Sequence, residues 1–428
     1  MTVGGGRIPP GSTESLTSDH DLLRWMGSRF EEFGDIYRAS LHGTSAYVIR
    51  DPRYAEHILR GNWQNYAKGR AIKRIALLLG GGLMASEGER WKRQRRMIQP
   101  AFRRDAIAAL LPLITAANAE LLGSWTRSAQ RKADVDVTRD VSATTLKIVL
   151  VSIFGEDYEH IGTHCNLLTD ETARNLAFAH AFGHLQPLML EVMARRRQRK
   201  AASADILGML MNARDRDTGR AMSDRQLVDE IKTLIVAGHE TTAGTLGWIW
   251  YLLSQNPAVE DRLAKELDII PACEPSLDGL TRLAYTRQII EEALRLYPPG
   301  WLVTRRALSD DRLGDYLVPA NTEIYIPIYF IQRHPGLWEH PDRFDPDRFG
   351  PDPVQARQRL AMLPFSAGPR NCIGELFARV ALQIHVTTIA KCLRLRYFAA
   401  QPPEIDAGIN LRSRHNFIMR PELRASTG

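Results

Sequence analysis

Residues 365–374 read Phe365-Ser-Ala-Gly-Pro-Arg-Asn-Cys-Ile-Gly374, the pattern F-x-x-G-x-R-x-C-x-G, and run directly into Glu375-Leu-Phe-Ala-Arg-Val-Ala-Leu-Gln, a stretch of helical character. Cys372 therefore falls in a glycine-bounded loop just ahead of a helix start, where unpaired N–H groups and the positive dipole end favour thiolate over thiol. Gly368 and Gly374 permit positive φ, or a close backbone approach to a flat group. Arg370 is a permanent cation suited to a carboxylate, and Phe365 offers an apolar face beside the sulfur. A lone thiolate with no neighbouring Cys or His is a poor zinc site and a good axial ligand for haem iron. The plainer alternative is a buried free cysteine before a helix.

A second stretch, Leu234-Ile-Val-Ala-Gly-His-Glu-Thr-Thr-Ala-Gly-Thr-Leu-Gly-Trp248, lies in a segment expected to be helical from about Asp224 to Gln255. Gly238, Gly244 and Gly247 each cost about 1 kcal/mol against Ala in a helix. Glu240 and two threonines also interrupt an apolar run, where unpaired polar groups are penalised. Such a helix suits a site where something lies against its backbone and a proton must move. Elsewhere, Trp91 and Arg95 are four apart and share one helical face, while Glu292 and Arg295 are three apart just before Tyr297-Pro-Pro299.

Together these stretches resemble the cytochromes P-450, and the matches run from about Trp91 to Arg420. Every fixed position of that family's haem-binding loop is present. The resemblance implies that Cys372 is the proximal iron ligand, that Phe365 and Gly374 border the haem, and that Arg370 meets a haem propionate. Trp91 and Arg95 match a W-x-x-x-R helix that also binds a propionate, and Arg305, rather than Arg306, matches a further propionate arginine. The stretch Ala237-Gly-His-Glu-Thr-Thr242 resembles the distal helix motif A-G-x-E-T-T. Thr241 would hydrogen-bond the bound oxygen, and Glu240 with ordered water would relay protons. Thr242 and His239 read as packing. Glu292, Arg295 and Arg348 match a structural ion network. Ala381 stands where many relatives carry a glutamate.

The implied protein is mainly α with small β-sheets, a single haem-containing domain over residues 21–428 after a flexible segment 1–20. It would hold haem b and insert one oxygen atom from O2 into an apolar substrate, such as a natural product, terpenoid or fatty acid. Electrons would come from NAD(P)H through a separate ferredoxin and ferredoxin reductase. A cytoplasmic monomer without a membrane anchor is expected. A peroxide-driven or rearranging haem-thiolate enzyme is the alternative, and the intact Glu240-Thr241 pair argues against it.

Composition agrees with a globular chain: 428 residues, 44% hydrophobic, 25% charged. The run Ala243–Leu253 is too short to cross a bilayer, and the N-terminus has no charged region followed by an apolar one. The four cysteines form no C-x-x-C pair. A net charge of +7 is spread along the chain, and only Trp91 to Arg104 encourages a nucleic-acid reading. Lys92, Arg93 and Arg96 are instead expected to help dock an acidic redox partner.

Along the chain, Leu22–Phe33 reads as a helix, Asp35–Arg50 as a hairpin around Gly43, and Asp51-Pro52 as the opening of a helix to Leu59. Trp63–Met84 reads as a mobile loop roofing the substrate pocket, and Gly162–Lys200, with Phe178 and Phe182, as a shortened lid. Trp301, Leu302 and Val303 are expected to face the pocket, and Ile409–Phe417 to form a hairpin. Breaking a buried charge network costs about 3–5 kcal/mol. Glu292→Ala is therefore expected to yield protein without haem; normal haem occupancy in that variant would contradict the assignment.

Overall fold

Short polar side chains start the main helices. Asp21, Asp51, Asp136 and Asp205 each accept a hydrogen bond from a first-turn N–H, at 2.8–3.0 Å. Ser223 and Gln226 exchange bonds in a capping box at the head of the helix Asp224–Gln255. The computed structural model describes residues 2–3, 6–16, 21–41, 43–162, 174–199, 205–269, 276–351 and 361–424. It is helix-rich with small sheets, and its contacts cluster into two compact units. One comprises Met1–Arg74, Glu291–Cys372 and Ile405–Arg412; the other comprises Ile75–Ile290, Ile373–Glu404 and Ser413–Gly428.

The first unit is built on a six-stranded sheet, in the order Gly11–Leu16, Ile36–Leu41, Thr44–Ile49, Glu323–Pro327, Leu302–Ala307 and Tyr66–Lys68. The hairpin turn at Gly43 adopts φ 73°, a conformation glycine takes without a Cβ clash. Ile36, Ile49, Ile324, Ile326, Leu59 and Trp338 form part of one buried cluster beneath it. Two expectations change here. Residues 1–20 were expected to be flexible, yet their described part is paired: Gly6–Arg7 joins the Tyr316–Val318 strand, and Gly11–Leu16 lies parallel to Ile36–Leu41. The Trp63–Met84 region contains a 3-10 turn at Trp63–Asn65, the Tyr66–Lys68 strand and the helix Ile72–Leu79, so it is not a loop.

The second unit is helical. Val137–Phe154 packs along Asp224–Gln255, and close approaches of Val149, from the former helix, and of Phe417 explain two of the glycines in the latter. A Cβ at Gly238 would lie 3.0 Å from Val149, and one at Gly247 would lie 3.1 Å from the Phe417 ring. His239 is buried and bonds Ser142 Oγ at 2.9 Å, as its packing role predicts. Among the described residues, only Arg104–Gln130 is long and apolar enough to cross a membrane; Ile107, Ile114 and Trp125 on it are buried in this unit.

A polar chain joins three of these helices. Trp250 Nε1 donates to His385 Nε2 at 3.0 Å, so the ring proton is on Nδ1, which donates to Asn118 Oδ1 at 2.7 Å. Burial pushes the His385 imidazole from 6.5 down to about 3. The folded protein thus keeps it neutral, whereas the unfolded chain binds a proton below about pH 6.5. The resulting stability is complete above that pH and falls by about 1.4 kcal/mol per pH unit on acidification, until the folded pKa is reached. His385→Gln lacks this titration. In urea unfolding, the stability advantage of the wild type over His385→Gln should shrink with that slope as pH falls. A difference independent of pH would contradict the buried neutral ring.

Candidate functional site

The cysteine loop lies in the first unit up to Cys372, and the unit boundary falls between Cys372 and Ile373. The loop is closed by its own backbone. Ser366 N–H donates to Leu363 O, Asn371 N–H to Gly368 O, and Cys372 N–H to Phe365 O, at 2.9–3.1 Å. Gly368 has φ 72°, and a Cβ there would sit 1.9 Å from the Leu59 carbonyl oxygen, so only glycine fits. Ser366 is also left-handed, at φ 60°, an uncommon and strained state for a side-chain-bearing residue. Gly374 has φ −90° and serves as N-cap of the helix Glu375–Ala390 without a side-chain cap bond. Cys372 is exposed and not in a disulfide, and so is Cys392; Cys165 and Cys273 lie outside the described residues.

Two of the predicted cations share this unit. Arg370 Nη1 donates to Tyr66 O at 2.8 Å, with its guanidinium 5.7 Å from the Trp63 ring centre. Arg305 is buried on the Leu302–Ala307 strand, where its Nη1 donates to Thr304 O at 2.9 Å. Its neighbour Arg306 is directed to Asn321 Oδ1, at 2.8 Å. Phe365 is half-buried. Trp301 departs from the pocket expectation: it is 1% exposed and its indole N–H donates to Gly408 O at 2.9 Å. Val303 packs on the buried cluster.

The three residues that the resemblance joined in an ion network are brought together. Glu292 and Arg295 are both fully buried and joined by two hydrogen bonds, at 2.6 and 2.8 Å. Arg348 Nε lies 3.4 Å from Glu292, and the Asp345 N–H donates to it at 2.9 Å. Arg295 spends its other donors on the Gln332, Pro341 and Arg343 carbonyls. Burial pushes the Glu292 carboxyl up, against the pull of Arg295, the Asp345 amide and Arg348.

In the second unit the helix Gly88–Ile98 carries Trp91, which is 5% exposed, and the half-buried Arg95. Lys92, Arg93 and Arg96, expected to help dock an acidic redox partner, are ion-paired within the chain. Arg93 and Arg96 face Asp215 at 3.4 and 3.8 Å, Arg96 bonds Asp217 at 2.5 Å, and Lys92 bonds Glu89 at 2.7 Å. Sequence reasoning missed how the triglycine before this helix is tied down. Gly81 N–H donates to Asp229 and Leu83 N–H to Glu230, at 2.9 and 2.8 Å, while Arg90 and Gln94 donate to Gly81 O. Three consecutive glycines were the available signal, since a Cβ at any of them would lie 2.0–2.3 Å from a side-chain atom.

On the long helix, Ala237, Glu240, Thr241 and Gly244 recur at i, i+3, i+4, i+7 and are only partly buried, while His239, Thr242, Ala243, Thr245 and Leu246 are buried. Thr241 Oγ1 donates to Ala237 O at 2.7 Å. None of the predicted site residues lines the polar cleft of about 740 Å³ beside Arg90, Arg93 and Arg225. Phe178 and Phe182 have side chains outside the described residues; of the expected lid, Gly162–Lys200, residues 163–173 and 200 also lie outside them, and Arg174–Arg199 is a helix.

This donor set fits a haem. An accessible thiol stands in a loop that tolerates no Cβ at Gly368, and two guanidiniums on the same unit suit propionates. Among the described residues no group of three or more His, Cys, Asp or Glu is placed to hold a metal ion by itself.

The family model for cytochrome P450 matches residues 15–176 and 166–423. Cyclooctat-9-en-7-ol 5-monooxygenase of Streptomyces melanosporofaciens is 32% identical over 414 residues, covering 90% of this chain and 89% of that protein. Pentalenene oxygenase of Streptomyces avermitilis is 32% identical over 384 residues, covering 86% and 85%. The crystal structure of the cytochrome P450DA heme domain superposes with a TM-score of 0.86 over 98% of this chain and 99% of that one, at 24% identity. The chain therefore belongs to the cytochrome P450 family and is a haem-thiolate monooxygenase.

Proposed function

We propose that this monooxygenase oxidises an apolar, terpenoid-like substrate, with electrons from NAD(P)H delivered by a ferredoxin reductase and a ferredoxin. The observation that carries the catalytic reading is the geometry of Thr241. Its hydroxyl proton is committed to Ala237 O, which leaves the oxygen lone pairs as acceptors on the partly open face of the long helix. Glu240, the preceding residue on that face, supplies an acid within the same turn.

When bound, a thiolate-ligated haem b supplies reductive activation of O2, with the thiolate's electron donation favouring O–O cleavage. The residues proposed to hold it are Cys372 as iron ligand, Phe365 and Gly374 beside the ring, and Arg370, Arg305, Trp91 and Arg95 at the propionates. Thr241 accepts a hydrogen bond and orients the proton donor; Glu240 delivers protons through water. Glu292, Arg295 and Arg348 keep the first unit's core in register beneath the cysteine loop.

The terpenoid class rests on two relatives, one named for cyclooctat-9-en-7-ol and the other for pentalenene. A soluble cytoplasmic monomer is the proposed form. The proposal is tested by turnover under isotopically labelled O2 with ferredoxin, reductase and NADPH. Product carrying one labelled oxygen is expected. Product with hydrogen peroxide alone, and none with the reductase system, would overturn it. Thr241→Ala should lower product yield by about tenfold or more, with NADPH oxidation continuing and hydrogen peroxide released. Unchanged coupling in that variant would remove Thr241 from proton delivery.

A further inference from the structure

The first unit holds a cluster that none of the family motifs includes. Asp311 follows the Leu302–Ala307 strand, and its Oδ2 accepts three side-chain hydrogen bonds: from Tyr66 Oη at 2.6 Å, His57 Nε2 at 2.9 Å and Asn62 Nδ2 at 3.0 Å. The Arg312 N–H donates to the other oxygen, Oδ1, at 2.8 Å. All three side-chain donors come from one short stretch, His57 to Tyr66, which comprises an irregular helical turn at His57–Gly61, a 3-10 turn at Trp63–Asn65 and the first residue of a strand. Local backbone bonds, such as Asn62 N–H to His57 O at 2.7 Å and Asn65 N–H to Asn62 O at 2.9 Å, link only near neighbours within it. The Asp311 carboxylate ties three of its side chains to one point on a distant strand.

That same stretch is what the cysteine loop rests on. The Leu59 carbonyl abuts Gly368 so closely that a Cβ would lie at 1.9 Å. The Tyr66 carbonyl receives Arg370 Nη1 at 2.8 Å, and the Trp63 ring lies beneath the Arg370 guanidinium. Tyr66 and Lys68 also pair with Ala307 and Arg305, so the strand bearing Arg305 leans on the same segment. Burial raises the Asp311 carboxyl pKa, but Tyr66, His57, the Arg312 amide and Asn62 outweigh it and hold the group below its ordinary value, as an ionised hub requires.

We propose that Asp311 is a positioning residue for haem-thiolate chemistry: by clamping His57, Asn62 and Tyr66 it fixes the platform that holds Gly368 and Arg370, and so the loop that presents Cys372. This rests on the haem-thiolate reading of Cys372. Asp311 itself touches no reacting atom. Asn in its place keeps the size, loses the charge, and offers an oxygen that accepts fewer and weaker bonds.

The test compares wild type, Asp311→Asn, Tyr66→Phe and Asp35→Asn as holoenzymes. Asp35 lies in the same unit and pairs with Arg50 and His334, so it controls for general loss of stability. Deuterium uptake of the 365–372 segment should quicken about tenfold in Asp311→Asn, as loss of a charged hydrogen bond implies, less in Tyr66→Phe, and not in Asp35→Asn. In parallel, the ferrous carbon-monoxide complex of Asp311→Asn should convert in part from the thiolate-type Soret band to the band of a haem without thiolate. Wild-type exchange and spectrum in Asp311→Asn would overturn the proposal, and so would equal changes in Asp35→Asn. If the wild type lacked the thiolate-type band, the haem-thiolate reading would fail, while the exchange comparison would still decide whether Asp311 orders the loop.

Discussion

A single thiol can serve as a prosthetic-group ligand only if the backbone around it is held still, because no second donor corrects its position. Here the holding point is a contact that leaves no room for a side chain. Gly368 brings its Cα against the Leu59 carbonyl with φ 72°, and any Cβ would lie 1.9 Å from that oxygen, far inside van der Waals contact distance. Around that contact the loop satisfies its own N–H groups at Ser366, Asn371 and Cys372. The price of this geometry is visible at Ser366, a left-handed serine with a buried hydroxyl. Strain of this kind persists only where neighbouring structure over-determines the backbone. The Glu292–Arg295–Arg348 network and the Asp311 cluster supply that structure in the same unit.

The second unit meets a different constraint, that a helix be closely packed and still leave one face partly open. Gly238 and Gly247 let Val149 and Phe417 pack onto the helix itself, so these glycines serve protein packing. The remaining oddities, Glu240, Thr241 and Gly244, collect with Ala237 on the single partly open stripe. Thr241 would be an unremarkable back-bonded threonine on an exposed helix. Here it sits on the partly open stripe of a helix whose other faces are buried.

Much of this was legible from residues alone, for a physical reason. Positions proposed to bear chemistry tolerate few residue types: the glycine at 368, the thiol at 372 and the acid–alcohol pair at 240 and 241 each exclude most alternatives. The helix start at Asp51-Pro52 was equally legible, since those two residues mark it locally. What escaped depends on partners distant in sequence. Gly6–Arg7 and Gly11–Leu16 look like a loose tail because their strand partners lie at 316 and 36–41. Arg93 and Arg96 look like an open basic face because Asp215 and Asp217 lie some 120 residues further along the chain. Asp311 carries no motif at all, and only the folded chain brings His57, Asn62 and Tyr66 to one oxygen.

The central claim is that Cys372 presents a thiolate to a haem. Its most direct test is the absorption spectrum of the reduced protein under carbon monoxide, recorded beside Cys372→His. The account predicts the strongly red-shifted Soret band of a thiolate-ligated haem in the wild type, and its loss in the variant. A wild-type spectrum of the histidine-ligated kind, or a red-shifted band that survives in Cys372→His, would contradict it.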